Sequence, residues 1–414
     1  MVPTLTLIIL SVPGLLLAGS SYVAALDNTW GVDSPAFVFS PGTWSGDAGR
    51  GGTRYRQTWN AYAYARITWA TSAPQPTATL RLDTSTYDGS FPPPRVALEI
   101  DGVLKANLPA AHEIPITGFA AGPVHRLVVY LQSSEQTRRW GTSETSGANV
   151  LRITGLSVDA DATPVAEAPA PAWALIVGDS ITEGIGTTAM GGYAYLLGRS
   201  LQTQGYEVGI SACGFSGWLA RGDKPPGDVP GYYVVTGAND GVGGTYHDDQ
   251  SRWNRIDART SLLDGAGRLS AHGGLGQEPA VILVNYGTND RLRQLDPSDT
   301  RAAITQGLAA LRAAAPNAQI IVLIPFGQFY AKELHAAVQA RRQADDRRVH
   351  VIDLGDGIRR ALDDRPNNPE TVAPGEARKA LLGNLHPNDR GAAYLAALVT
   401  PQVLAILRPS HPLP

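Results

Sequence analysis

The sequence predicts an all-β antiparallel sandwich over residues 27–158, then a flavodoxin-like three-layer α/β domain over residues 172–408 with a five-stranded parallel sheet. Three observations carry this. The first part holds short strands with two-residue alternation and no amphipathic helix. The second alternates continuous apolar runs with amphipathic helical stretches. Between them lies residues 159–171, an Ala- and Pro-rich stretch without periodicity, which reads as an extended linker.

Length and composition bound the rest. A chain of 414 residues fits two or three domains at about 100–200 residues each. Lys and Arg number 34 against 37 Asp and Glu, a net charge of −3, which excludes a broadly basic nucleic-acid binder. Cys213 is the single cysteine, so neither an intrachain disulfide nor a cysteine-based zinc site can form. Residues 1–25 read as a secretory signal peptide: Leu5 to Ala18 is nearly all apolar and Val23-Ala24-Ala25 offers a cleavage site. Its n-region has no Lys or Arg, and Pro13 and Gly14 interrupt the apolar run. The expected location is secreted or periplasmic. No later stretch approaches about 18 consecutive apolar residues, so the mature chain is expected to have no membrane span.

In the first part, Ala61–Trp69 alternates polar or aromatic residues with small or apolar ones, as a half-buried strand does. Val96, Leu98 and Ile100 form a second such strand, and Asp101-Gly102 suits a tight hairpin turn after it. Arg126–Leu131 and Val150–Val158 are two more. Two-faced strands of this kind need a second sheet to cover one face, hence the sandwich.

In the second part, apolar runs fall at Trp173–Val177, Val208–Cys213, Val281–Val284, Ile320–Ile324 and Val349–Leu354. Ile304, Leu308 and Leu311 share one helical face between the third and fourth, and Tyr330, Leu334 and Ala337 share another before the fifth. Chemistry in such sheets sits beyond the carboxyl ends of the strands. The first three strands end in Gly178-Asp179-Ser180-Ile181-Thr182, Cys213-Gly214-Phe215-Ser216 and Tyr286-Gly287-Thr288-Asn289-Asp290, and His386-Pro387-Asn388-Asp389 opens the last helix. A serine, a histidine and N–H donors from a glycine and an asparagine are the parts of acyl transfer: nucleophile, proton carrier and oxyanion hole.

GDSIT, the Gly214 turn, GTND and HPND, in this order and each after a strand, resemble the SGNH (GDSL) hydrolases over roughly residues 172–408. The resemblance implies Ser180 as nucleophile and His386 as general base, then acid. It implies the backbone N–H groups of Ser180 and Gly214 and the side-chain amide of Asn289 as the oxyanion hole, with no cofactor or metal. The preceding sandwich also resembles carbohydrate acetylesterases of that superfamily, which makes an acylated oligo- or polysaccharide the expected substrate and short-chain deacylation the expected reaction. Other acyl chemistry on the same site (lipase, thioesterase, transfer to a sugar) and a glycan-binding protein with a decayed site are the alternatives.

One position departs from the family pattern. Where an aspartate usually precedes the histidine by three residues, this chain has Gly383. An imidazole still needs an acceptor for its other N–H, which fixes the tautomer. A main-chain carbonyl near Gly383, the Asn384 side chain or a carboxylate such as Glu376 can serve, and the glycine favours the carbonyl.

Plainer readings exist for the single residues. Ser180 and Thr182 can cap a helix, Asp179 can be a structural residue of the turn, and Asn289-Asp290 can be a self-bonded loop. His247 beside Asp248 and Asp249 reads as a polar loop rather than a metal site, and Cys213 as a small buried strand residue. The long segment 214–278 is rich in Gly, Asp and aromatics. Trp218, Tyr232, Tyr233, Tyr246 and Trp253 are candidates for stacking on sugar rings or for packing the segment down, with Trp253 in a helix-like stretch Gln250–Leu263.

Overall fold

The computed structural model describes residues 28–48, 52–225, 227–247, 250–271, 277–355 and 385–408. The expected signal segment, Asp248, Asp249, Glu376, Gly383 and Asn384 lie outside the described residues. Twelve strands come first: β1 (Asn28–Gly31), β2 (Phe37–Phe39), β3 (Ser45–Ala48), β4 (Arg54–Thr58), β5 (Tyr64–Ala70), β6 (Ala78–Leu82), β7 (Arg95–Ile100), β8 (Val103–Pro109), β9 (Glu113–Ile116), β10 (Val124–Ser133), β11 (Leu151–Val158) and β12 (Thr163–Pro164). They form two antiparallel sheets, one ordered β3-β4-β11-β6-β9 with β1 on β11, the other β12-β5-β10-β7-β8 with β2 on β5. Asp101 and Gly102 join β7 to β8 with φ of 48° and 83°, the signs a two-residue hairpin turn requires. Trp69, Leu80, Leu127, Leu151 and Ile153 fill the space between the sheets.

The sheet containing β5 is covered on both faces. Its far side, through Tyr64, Ala97, Val128 and Tyr130, shares a core with the following domain, so the strict alternation expected of a sandwich strand gives way to near-continuous burial in β5 and β7. The stretch 159–171 is fastened rather than loose. β12 pairs with β5 through Thr163 and Pro164, and Glu167 accepts from Arg66 Nε at 2.6 Å.

The second domain contributes β13 (Ala172–Gly178), α1 (Tyr193–Thr203), β14 (Tyr206–Ala212), β15 (Val281–Asn285), α2 (Thr288–Leu292), α3 (Pro297–Ala314), β16 (Gln319–Ile324), α4 (Ala331–Gln343), β17 (Val349–Asp353) and α5 (Asp389–Leu407). The five strands are parallel in the order β14-β13-β15-β16-β17, the flavodoxin-like arrangement. Apolar residues on both faces explain the unbroken hydrophobic runs. Leu175 and Val177 face the side packed by α3, with Ile304, Leu308 and Leu311 buried there, while Ile176 faces the side packed by α1 and α5. α5 is long and apolar enough to cross a membrane by composition alone, yet Ala392, Leu395, Val399 and Val403 bury one of its faces in that core. Because strand order reverses between β13 and its neighbours β14 and β15, the crevice beyond their carboxyl ends is the place for a site.

Candidate active site

Asp179 and Ser180 follow β13 directly. The turn after them is held by Glu183 N–H donating to the Asp179 carbonyl at 2.9 Å and Ile185 N–H to the Ser180 carbonyl at 3.0 Å. No helix starts here: α1 begins only at Tyr193, and Thr182 Oγ1 meets Tyr193 Oη at 2.9 Å. The helix-cap reading of Ser180 and Thr182 therefore does not apply. Asp179 is fully buried, and its Oδ1 accepts from Ile181 N–H at 2.9 Å. Burial pushes its carboxyl up from 3.8 to about 7, against the hydrogen bonds from Ile181 and Thr288 and helped by the charges of Asp290 and Glu183.

His386 lies 206 residues away in sequence, and its Nε2 sits 2.8 Å from Ser180 Oγ. Two neighbours hold it there. Asn388 caps α5 by accepting from Gly391 N–H at 2.9 Å, and the Asp389 carboxylate takes both Thr188 N–H and Thr188 Oγ1–H at 2.8 Å, tying the histidine turn to the serine turn. Gly186, at φ 93°, lies against His386 so closely that a Cβ there would come 2.8 Å from the histidine Cβ. The half-buried imidazole is held below its ordinary 6.5 by loss of water, an effect the Glu183 charge opposes.

The other two blocks meet at the next strand ends. Asn289 stands in the first turn of α2, 8% exposed, and its Nδ2 donates to the Ser216 carbonyl at 2.9 Å. That bond uses one of its two amide hydrogens and orients the other. Gly214 N–H donates to Glu183 Oε2 at 2.7 Å, so this expected oxyanion donor is already engaged by a carboxylate. Ser216 Oγ in turn donates to the Cys213 carbonyl at 2.7 Å, which closes the 213–216 turn.

The roles of three residues central to this geometry escape a motif reading. Asp290, fully buried, accepts from the backbone N–H groups of Trp218 at 2.9 Å, Leu219 at 2.9 Å and Ala220 at 3.0 Å, anchoring the long insertion to α2 rather than closing a local loop. Burial nonetheless raises its pKa. Glu183 and its partner Arg139 are the others. Their meeting across 44 positions leaves no local pattern, although Glu183 directly follows the block that marks the serine.

The insertion's aromatics settle the alternative left open by the sequence for three of five. Trp218, Tyr232 and Tyr246 are buried and pack with Tyr286, the Tyr232–Tyr286 and Trp218–Tyr232 centroids lying 5.0 and 5.7 Å apart. They are core, not a sugar platform. Tyr233 and Trp253 are partly buried against the same cluster. The helix expected over Gln250–Leu263 is absent. Asp257 instead accepts from Arg259 and Thr260 N–H with Oδ1 and from Ser45 Oγ and Gln57 Nε2 with Oδ2, which turns the backbone and pins it to the sandwich. Cys213 is buried, its thiol pushed up to about 12 by desolvation.

A serine and a histidine joined by a hydrogen bond at the switch point of a parallel sheet are the marks of a serine-dependent acyl-transfer class. Residues 176–394, more than half of the chain, match the model of the GDSL-like lipase/acylhydrolase family, and the chain belongs to that family. No curated protein sequence matches it. Among solved structures it is similar to an acetyl xylan esterase from the rumen bacterium Butyrivibrio proteoclasticus (16% identity, TM-score 0.59, covering 92% of this chain and 99% of that one). It is also similar to a family two carbohydrate esterase from Clostridium thermocellum in complex with cellohexaose (14%, 0.58, 90% and 99%), and to a salicylyl-acyltransferase from a tetracycline biosynthetic pathway (16%, 0.57, 92% and 98%). At these identities the likeness is one of fold, and it spans the sandwich as well as the α/β domain.

Proposed function

We propose that this chain is a serine carboxylic-ester hydrolase that removes short acyl groups, acetyl foremost, from an oligo- or polysaccharide. The observation that carries the reading is the 2.8 Å approach of His386 Nε2 to Ser180 Oγ. Ser180 Oγ attacks the ester carbonyl while His386 takes its proton. The negative oxygen of the tetrahedral intermediate is met by Ser180 N–H and the second amide hydrogen of Asn289. Collapse releases the sugar alcohol, protonated by His386, and leaves an acyl group on Ser180. Water, deprotonated by the same imidazole, then hydrolyses it. Gly214 N–H, bonded to Glu183, plays no direct part in this arrangement. With Gly383 at the usual aspartate position, the pair works as a Ser-His dyad or with a non-standard third member.

Support for a carbohydrate substrate comes from the two esterases of like architecture, one of them holding a cello-oligosaccharide. An acylated polymer lies outside the cell, which suits the export that residues 1–25 are proposed to direct. The likeness to an acyltransferase favours a second reading, in which the acyl group on Ser180 passes to an acceptor hydroxyl instead of water. Acetate release from acetylated xylan, acetylated glucomannan and p-nitrophenyl acetate, compared among the unmodified chain, Ser180→Ala and His386→Ala, tests the proposal. Loss of turnover in both variants is expected, whereas turnover that survives Ser180→Ala refutes it. Transfer products outweighing acetate select the second reading.

A further inference from the structure

The β-sandwich reaches into the catalytic edge through one arm, the segment between β10 and β11. From it, Arg139 Nη1 donates to Glu183 Oε1, and Gln136 Nε2 donates to Glu183 Oε2 at 2.8 Å. The same Oε2 accepts Gly214 N–H at 2.7 Å. Arg139 also holds Asp223 through Nε at 3.0 Å and Nη2 at 2.6 Å. The Arg139 and Asp223 side chains are 0% exposed and that of Glu183 is 3%. Glu183 stands three residues past Ser180, so one carboxylate touches the serine turn through its own backbone and the glycine turn through its oxygens. Gly214 fits only because it lacks a side chain: a Cβ there would fall 1.8 Å from Gln136 Nε2.

We propose that Glu183 is a positioning residue for the Ser180–His386 pair and that the sandwich, through Arg139 and Gln136, is what holds it in place. This rests on the ester-hydrolase reading above. Two effects follow from the geometry. Glu183 locks the serine turn to the glycine turn, and so fixes Ser180 relative to Asn289. It also supplies a negative charge toward His386, in a chain whose usual carboxylate position is Gly383, and that charge raises the imidazole pKa against the larger effect of burial. Arg139 meters that charge, being held above its ordinary pKa by Asp223 and Glu183 despite its burial. The other charged or titratable groups around the cluster are Asp223, Arg252, Cys213, Asp179, Asp290 and Tyr62. Arg252 donates to Ser211 Oγ at 3.0 Å and to Tyr286 Oη and carries the second buried positive charge, which balances two carboxylates with two guanidiniums. Asp389, three residues past the histidine, is engaged by Thr188.

The test uses the full chain, p-nitrophenyl acetate as probe, and the pH profile of kcat/KM beside an NMR titration of the His386 imidazole. Glu183→Gln keeps size and an acceptor but removes the charge. It is expected to lower kcat by about ten- to a hundredfold at little-changed KM, the scale of a small misplacement of reacting groups. It should also move the imidazole pKa and the acid limb downward by about half a unit to one unit. Arg139→Met removes one of the two buried positive charges that face the carboxylates and should move both upward. If Arg139→Met does not fold, Gln136→Ala, which keeps all charges, carries the test: kcat falls with the acid limb in place. An unaltered kcat and pH profile in Glu183→Gln, shifts of the same sign in Glu183→Gln and Arg139→Met, or an unaltered kcat in Gln136→Ala overturns the proposal. The NMR titration reads the charge coupling even without an ester substrate, and Ser180→Ala separately judges the hydrolase reading, so the two failures are distinguishable.

Discussion

Replacing Asp179 by Asn should stabilise the protein at alkaline pH and leave it nearly unchanged in acid. The carboxyl is fully buried, and its Oδ2 has no hydrogen-bond partner among the described residues. Its pKa is raised from 3.8 to about 7, so the folded chain holds this proton more tightly than the unfolded one. For a raised carboxyl the contribution is fully present below the unfolded value and is lost as pH climbs from about 4 to about 7. At about 1.4 kcal/mol per pH unit, that loss amounts to about 4 kcal/mol at pH 8. Asn keeps the Oδ1 that accepts Ile181 N–H at 2.9 Å and carries no charge. Urea unfolding of both chains between pH 4 and 8 should therefore show curves that coincide near pH 4 and separate in favour of Asp179→Asn, by up to about 4 kcal/mol, as pH rises. A variant that is less stable at pH 8, with the same pH dependence as the parent, would refute the reasoning and show that the buried carboxylate is charged and stabilising.

Other outcomes follow from the same geometry. Asn289→Ala removes a proposed oxyanion donor and should lower kcat by about 10²–10³ with KM little altered, measured on p-nitrophenyl acetate. Asp290→Ala strands the backbone N–H groups of Trp218, Leu219 and Ala220, at about 1–3 kcal/mol each, so a loss of at least about 3 kcal/mol is expected in chemical unfolding. The acid limb of kcat/KM should have its midpoint below 6.5, because burial holds the His386 imidazole down. A midpoint above 6.5 contradicts that placement.

The fold was legible where one period dominates. The five apolar runs became the five parallel strands to within two residues at each end, because burial on both faces demands continuous Val, Ile and Leu. Asp101-Gly102 made its turn because both positions take positive φ. Ser180 and His386 were legible because each lies in a short polar block, one directly after the first parallel strand and the other at the opening of the last helix. What lay hidden was long-range. Nothing local says that the aromatics of 214–278 turn inward, since Trp218 and Tyr232 read equally as a sugar-stacking surface or as core until Tyr286 is seen packed against them. The helical periodicity of Gln250–Leu263 lost to one aspartate, Asp257, whose partners Ser45 and Gln57 lie about two hundred positions upstream. The engagement of Gly214 N–H by Glu183 likewise depends on Arg139 and Gln136 from another domain, which no motif encodes.

Ser180 is proposed as a nucleophile activated by His386. Incubating the chain with a fluorophosphonate ester and mapping the adduct by peptide mass spectrometry tests it most directly. Stoichiometric phosphonylation of Ser180 is expected, at least about tenfold slower in His386→Ala, since general-base assistance is worth about 10²–10⁴. Labelling at any other residue, or labelling of Ser180 at the same rate without the imidazole, would contradict it.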